Sequence, residues 1–145
     1  LRVGLHRRAA HGGSPLPNVR QVLDYAVTAI PSKLLLGIPN YGYDWTLPFV
    51  RGESRAQSIS NQEAVALAVQ NRVAIRFDQA AQSPWFRYVD GQGREHEVWF
   101  EDARSLAAKM ELFAQYGLLG AGYWNLMRPF SQTWLTTASL YDIAD

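Results

Sequence analysis

Tyr41, Tyr43, Trp45, Trp124 and Asn125 are the residues of this chain whose types and spacing suggest chemistry. The stretch Leu118-Leu119-Gly120-Ala121-Gly122-Tyr123-Trp124-Asn125-Leu126 is apolar, carries glycines, and closes on an indole and an amide. A helical pattern, Ser105 to Tyr116, runs directly into it. A helix, a short turn and an apolar run read as a helix feeding a buried parallel strand. Ligands meet such folds at the carboxyl ends of the strands, where Trp124 and Asn125 stand. A flat ring beside a hydrogen-bonding amide suits a sugar, which has an apolar face and a polar rim. The same order occurs earlier in the chain, where Lys33 to Ile38 reads as an apolar strand and 39–45 as its aromatic carboxyl end.

The elements that must hold these groups are legible as patterns. Asn18 can cap a helix through Ile30, with Val19, Val22, Leu23, Ala26, Val27 and Ile30 on one face and Pro31 as the stop. Lys33 to Ile38 is apolar nearly throughout, as in a strand covered on both faces. Residues 46–100 then interrupt the alternation. Arg51 to Arg55 reads as a solvated loop. Ser60 and Glu63 form a capping box ahead of a helix through Ala68. Strand patterns follow at Ala74 to Asp78, Trp85 to Asp90 and Glu95 to Phe100, the last two joined as a hairpin by the turn Gly91-Gln92-Gly93. Asp102 can cap the next helix, with Leu106, Met110, Phe113 and Ala114 toward the core and Gly117 as its end. Ser131 can cap a final helix through Leu135, Ala138 and Tyr141. The order predicts two consecutive βα units of an α/β fold, the C-terminal part of a (β/α)8 barrel, with a small α+β insertion. A closed barrel normally needs about 250 residues. A chain of 145 residues is therefore expected to lack the amino-terminal part of the barrel, or to self-associate over an uncovered edge.

Composition narrows the partners. With a net charge of +1, the chain has no strong electrostatic footprint for nucleic acid or an anionic membrane. No run of about 18 apolar residues predicts a membrane-spanning helix. Cysteine is absent, which removes disulfides, thiolate metal sites and a cysteine nucleophile. His6, His11 and His96 have no ligand-like spacing, and His96 reads as a surface hairpin residue. No phosphate loop or nucleophile elbow occurs, and no cofactor is expected. Arg2, His6, Arg7, Arg8 and His11 form a basic cluster within 1–16. It reads as a solvated tail rather than a phosphate-binding arm.

Three stretches carry a family resemblance. Leu35-Leu36-Gly37-Ile38-Pro39-Asn40-Tyr41-Gly42-Tyr43-Asp44-Trp45 resembles the seventh strand of glycoside hydrolase family 18, the chitinase-like family. Val98-Trp99-Phe100-Glu101-Asp102-Ala103 and the residues after it resemble the segment entering the seventh helix. Gly120 to Leu126 resembles the eighth strand. Ile59 to Ala64 and Ala81 to Phe86 are similar to the spore-germination, cortex-lytic subgroup, which acts on peptidoglycan-like glycans. The resemblance spans roughly 18–143 and leaves 1–16 as an unmatched tail.

It implies that Trp124 floors the subsite of the reacting sugar, with Asn125 beside it. It further implies that Tyr41 and Tyr43 line the cleft, and that Trp99 with Glu101 or Asp102 lies near its wall. Packing of the hairpin is the competing reading for Trp99, and capping the one for Asp102. The family's acidic signature, Asp-x-x-Asp-x-Asp-x-Glu, supplies the acid for a substrate-assisted mechanism that departs from the usual carboxylate pair. It does not occur here, nor does the sixth-strand Met-x-Tyr motif. The resemblance thus implies the C-terminal piece of a glycosidase acting on β-1,4-linked N-acetylglucosamine glycans, extracellular or associated with cell wall or spore. No hydrolysis by these residues alone is expected. A non-catalytic carbohydrate-binding protein is the alternative. A third reading is an unrelated α/β protein whose aromatics are core.

Overall fold

The structure is a computed structural model that describes residues 13–30 and 33–142. The basic cluster of the first dozen residues and the expected stop at Pro31 lie outside the described residues.

Two sheets organise the chain. Strands β1 (Leu35–Pro39) and β7 (Gly120–Trp124) pair in parallel, with Leu35 opposite Gly120 and Pro39 opposite Trp124. Alternate residues of β1 take opposite faces. Leu36 and Ile38 point toward helix α3 (Ala103–Tyr116) and pack with its Leu106 and Met110. The other face differs from the expectation of cover on both sides: Leu35 is 64% exposed. A strand apolar on both faces needs a layer against each, and among the described residues β1 has its helices on one side only.

The helices explain themselves residue by residue. Helix α1 (Leu16–Ala29) starts ahead of Asn18, which makes no cap. Pro17 sits in the first turn, where a missing N–H costs nothing, so the helix extends back to Leu16. The Leu16 N–H donates to the Ala81 carbonyl at 3.0 Å. In α3, the Asp102 carboxylate accepts from the Arg104 and Ser105 amides, and Gly117 takes the left-handed conformation at φ 59° that ends the helix. Ala114 is exposed and Leu112 is buried in its place. The reason is that α3 is covered twice: Leu106 and Met110 meet β1, while Leu112 meets Leu16 and Leu23 of α1. Helix α4 (Ser131–Leu140) inverts the expected face. Ser131 makes no side-chain cap, Leu135 is 70% exposed, and Thr133 and Thr136 are buried. Its inner side meets polar atoms that need partners: the Thr137 and Tyr123 hydroxyls lie 2.6 Å apart, and Thr133 reaches Asn40.

The second sheet has five antiparallel strands in the order β3-β2-β6-β5-β4. They are β2 (Gly42–Thr46), β3 (Gln57–Ile59), β4 (Arg76–Asp78), β5 (Ser83–Val89) and β6 (Glu95–Trp99). The β5–β6 hairpin forms as expected. The sheet begins at Gly42, ahead of the expected 46, so Tyr43 and Trp45 belong to it rather than to the end of β1. Helix α2 (Asn61–Gln70) starts with the expected Ser60–Glu63 capping box and covers one face. The core there is Ile59, Ala64, Ala68, Phe86, Val98 and Phe100.

Gly42 is where the two sheets diverge. A Cβ at this position would lie 2.6 Å from the Trp99 carbonyl oxygen and 2.7 Å from the Phe100 Cβ. The neighbours are backbone or the root of a side chain, so neither can swing aside. Gly42→Ala is expected to push β2 off β6 and cost about 2 kcal/mol or more. The midpoint of urea unfolding, with an unchanged slope, measures it.

Candidate functional site

The carboxyl ends of β1 and β7 lie side by side, because the register sets Pro39 opposite Trp124. The indole of Trp124 is 71% exposed there. Trp124, Gly122 and Gly120 share the face of β7 opposite Tyr123, which packs toward α3. Glycines beneath the indole leave that face low, so nothing from its own strand covers the ring.

Asn40 fixes the turn that carries Trp124. It is 3% exposed. Its amide N–H donates to the Trp124 carbonyl at 2.7 Å. Its side-chain Nδ2 donates to the Asn125 carbonyl at 3.1 Å and the Arg128 carbonyl at 2.6 Å. Its Oδ1 accepts longer bonds, at 3.4 Å each, from Asn61 Nδ2 and Thr133 Oγ1. One buried amide thus joins β1, the turn after β7, α2 and α4. The peptide between Trp124 and Asn125 is cis. Beside it, Asn125 Oδ1 is buried with no hydrogen-bond partner among the described residues. An unsatisfied buried acceptor next to an exposed indole sets this turn apart from ordinary framework.

Tyr41 and Tyr43 are brought together, their rings 5.4 Å apart and edge to face. Both are half-buried, and a Cβ on Gly13 would touch both at 3.5 Å. The Tyr41 hydroxyl is pushed up to about 12, first by burial, then by the Tyr43 hydroxyl and the nearby Glu101 charge. It is a hydrogen-bond donor at neutral pH, not a base. Trp45, 9% exposed, packs edge-on against Phe49.

Trp99 stands directly across from Tyr43 in the β2–β6 register and from Trp85 in the β5–β6 register. Its Nε1 donates to Glu97 Oε1 at 2.8 Å. The residue is therefore part of the sheet face that Tyr43 occupies, and it also packs the hairpin by stacking on Trp85 at 5.7 Å.

Glu101 is a different matter from its expected place at the cleft wall. It is 2% exposed, and both carboxylate oxygens accept from Lys109 Nζ, at 2.8 and 2.7 Å. Burial pushes its carboxyl up, and the Lys109 ammonium opposes that shift. With its lone pairs taken, Glu101 serves the framework. Its amide N–H donates to Asn61 Oδ1 at 3.0 Å, which continues the chain of contacts from Asn40. Asp102 caps α3 and pairs with Arg104.

His96 corrects another expectation. It is 9% exposed rather than on the surface. Its Nδ1 lies 2.8 Å from Asp44 Oδ1 and its Nε2 3.3 Å from Asp90 Oδ2. Tyr88 stacks on the ring at 4.7 Å and donates its hydroxyl to Asp44 Oδ2 at 2.7 Å. Burial and that bond push the Tyr88 hydroxyl up. No group of three or more His, Cys, Asp or Glu side chains could hold a metal ion among the described residues.

The Glycosyl hydrolases family 18 model matches residues 7–128. The chain belongs to this family. A family 18 match that starts at residue 7 begins inside the segment 1–16 that the resemblance leaves out. The chain is 46% identical over 131 residues to the cortical fragment-lytic enzyme of Bacillus subtilis (strain 168), covering 90% of this chain and 30% of that one. Among solved structures, the spore cortex-lytic enzyme SleL of Bacillus megaterium QM B1551 superposes with a TM-score of 0.82 at 51% identity, covering 87% of this chain and 30% of the other. A chitinase from Chromobacterium violaceum ATCC 12472 superposes at 0.76 with 31% identity, over 90% and 41% of the two chains. The chain thus spans about 30% of the length of the first two relatives. The architecture is the C-terminal part of the family 18 barrel: β1 and β7 are neighbouring barrel strands, and the five-stranded sheet is the α+β insertion between them.

Sequence reasoning passed over the residues that organise this site. Asn40 had one signal, an amide directly after the proline that closes an apolar strand. Asn61 reads only as an ordinary first-turn residue behind its capping serine. Lys109 looks like a solvated helix lysine, since lysine is rarely fully buried without a partner.

Proposed function

We propose that these residues form the wall and floor of the glycan cleft in a family 18 glycosidase acting on β-1,4-linked, N-acetylglucosamine-containing strands. The observation that carries this reading is the exposed Trp124 indole at the paired carboxyl ends of two barrel strands, with the unsatisfied Asn125 Oδ1 beside it. The indole offers its face to the apolar side of a pyranose ring. Asn125 lies beside the indole, its buried Oδ1 still without a donor among the described residues. Tyr41 and Tyr43 offer hydroxyl edges from the neighbouring strand end, and Trp99 extends the wall across the insertion. The relatives named as cortex-lytic favour a peptidoglycan strand over plain chitin.

The acid that protonates the leaving oxygen is assigned to a part of the enzyme beyond these 145 residues. The carboxylates next to the aromatic row are already engaged: Glu101 by Lys109, Asp44 by Tyr88 and His96, Glu97 by Arg87 and Trp99. That same engagement favours, as the second reading, a glycan-binding protein without hydrolysis.

Titrating the chain with chitohexaose and following indole fluorescence tests the cleft. Trp124→Ala is expected to weaken binding about ten- to a hundredfold, as loss of one large apolar contact would. Unchanged affinity removes Trp124 from the site. Release of reducing ends by the 145-residue chain alone would overturn the assignment of the acid elsewhere.

A further inference from the structure

One feature of the insertion sheet is not used by the cleft described above. In an antiparallel sheet, residues directly opposite one another share a face. The registers place Ser58, Tyr43, Trp99, Trp85 and Arg76 opposite one another across all five strands. At about 4.8 Å per strand the row runs roughly 19 Å. It starts at Tyr43 and its neighbour Ser58, on the cleft side, and ends at a pair of arginines. Trp85 stacks on Trp99 on one flank. The Arg76 guanidinium carbon lies 5.4 Å from the Trp85 ring centroid, and that of Arg87 lies 6.0 Å from it. Together with Val73 and Ala74 these three side chains line a cavity of about 400 Å³.

The two arginines are not equivalent. Arg87 is paired with Glu97 at 2.7 Å. Arg76 is exposed and has no ion pair among the described residues. A guanidinium held over an indole at cation–π distance keeps N–H groups free, in a flat fork that matches a carboxylate. The contact with the Trp85 ring also restrains the fork before any ligand arrives, which reduces the ordering cost of binding.

We propose that this recess receives a carboxylate carried on the glycan, so that the insertion selects acidic, peptide- or lactyl-bearing strands of the peptidoglycan type over neutral ones. This rests on the reading of Tyr43 and Trp99 as a cleft wall, because the row connects that wall to the recess. A neutral chitin strand offers Arg76 only uncharged hydroxyl and acetamido oxygens. A strand with carboxylates on its sugars has one to place at the far end of the row, where charge complementarity favours it.

The test is calorimetric titration of the chain with three soluble probes: peptidoglycan glycan strands with free carboxylates, the same strands amidated, and chitohexaose. Native strands are expected to bind about tenfold more tightly than amidated ones, the size of one charge-assisted hydrogen bond. Arg76→Gln is expected to remove that preference, as is 0.5 M salt, while Arg76→Lys keeps part of it. Arg76 is exposed, so circular dichroism should show these variants folded. Equal affinity for native and amidated strands, or a preference that survives Arg76→Gln, overturns the proposal and leaves the cleft reading standing. Binding of none of the three probes overturns both.

Discussion

Lys109→Met should destabilise the protein by about 3–5 kcal/mol, the cost of leaving a buried charge without its partner. Lys109 is 1% exposed, Glu101 2%, and among the described residues their only ionic contact is with each other at 2.7 Å. Methionine fills nearly the same space, so the loss reports the stranded carboxylate rather than a cavity. The double variant Glu101→Leu/Lys109→Met should recover most of it, since apolar pairs can replace buried ion pairs at no net cost. The pH dependence has a definite sign. Burial pushes the Glu101 carboxyl up, and Lys109 opposes this. Without Lys109, the folded state binds a proton at a pH where the unfolded chain has already lost it. Stability of the variant should therefore rise as pH falls through that raised range, and its deficit against the parent should shrink. Urea unfolding at pH 7 and pH 5 measures both effects. A deficit that grows on acidification would sink this account.

The second large effect falls on Asn40. Asn40→Ala removes the two donors that hold the Asn125 and Arg128 carbonyls at 3.1 and 2.6 Å. Each buried acceptor left unpaired costs about 1–3 kcal/mol, so a loss of about 3 kcal/mol is expected. Asn40→Asp should be no better, because it replaces the donors by oxygens facing carbonyl oxygens. The functional consequence separates Asn40 from an ordinary core residue. The turn it holds carries Trp124, so chitohexaose affinity should fall in Asn40→Ala under conditions where the variant is still fully folded by circular dichroism. Full affinity in a folded Asn40→Ala protein would show that the turn holds its shape without this amide.

The elements of the fold were largely legible where a local rule decides them. The Ser60–Glu63 box, the Asp102 cap and the Gly117 terminus are contacts within one turn of backbone, and they appear as expected. The β5–β6 hairpin followed from two alternating runs around a glycine turn. The misreadings share a cause. From one helix alone Asn18 and Ser131 read as caps and Ala114 and Leu135 as core, and neighbouring elements decide otherwise. Helix α3 is gripped from two sides, which moves its buried stripe onto Leu112. Helix α4 meets hydroxyls and amides, which makes threonine its inward residue. His96 looked like a hairpin surface residue because Asp44, its closer partner, lies 52 positions earlier.

The order of the elements, the two apolar strands, and the aromatic and amide residues at their ends can be read along the chain. These are set by periodicity, capping and side-chain type, which act over a few residues. Long-range packing makes Pro39 and Trp124 neighbours, binds Glu101 to Lys109, and lines up Ser58, Tyr43, Trp99, Trp85 and Arg76 in one row. Strand pairing and burial depend on which distant segments exclude water from each other, and no local spacing encodes that choice.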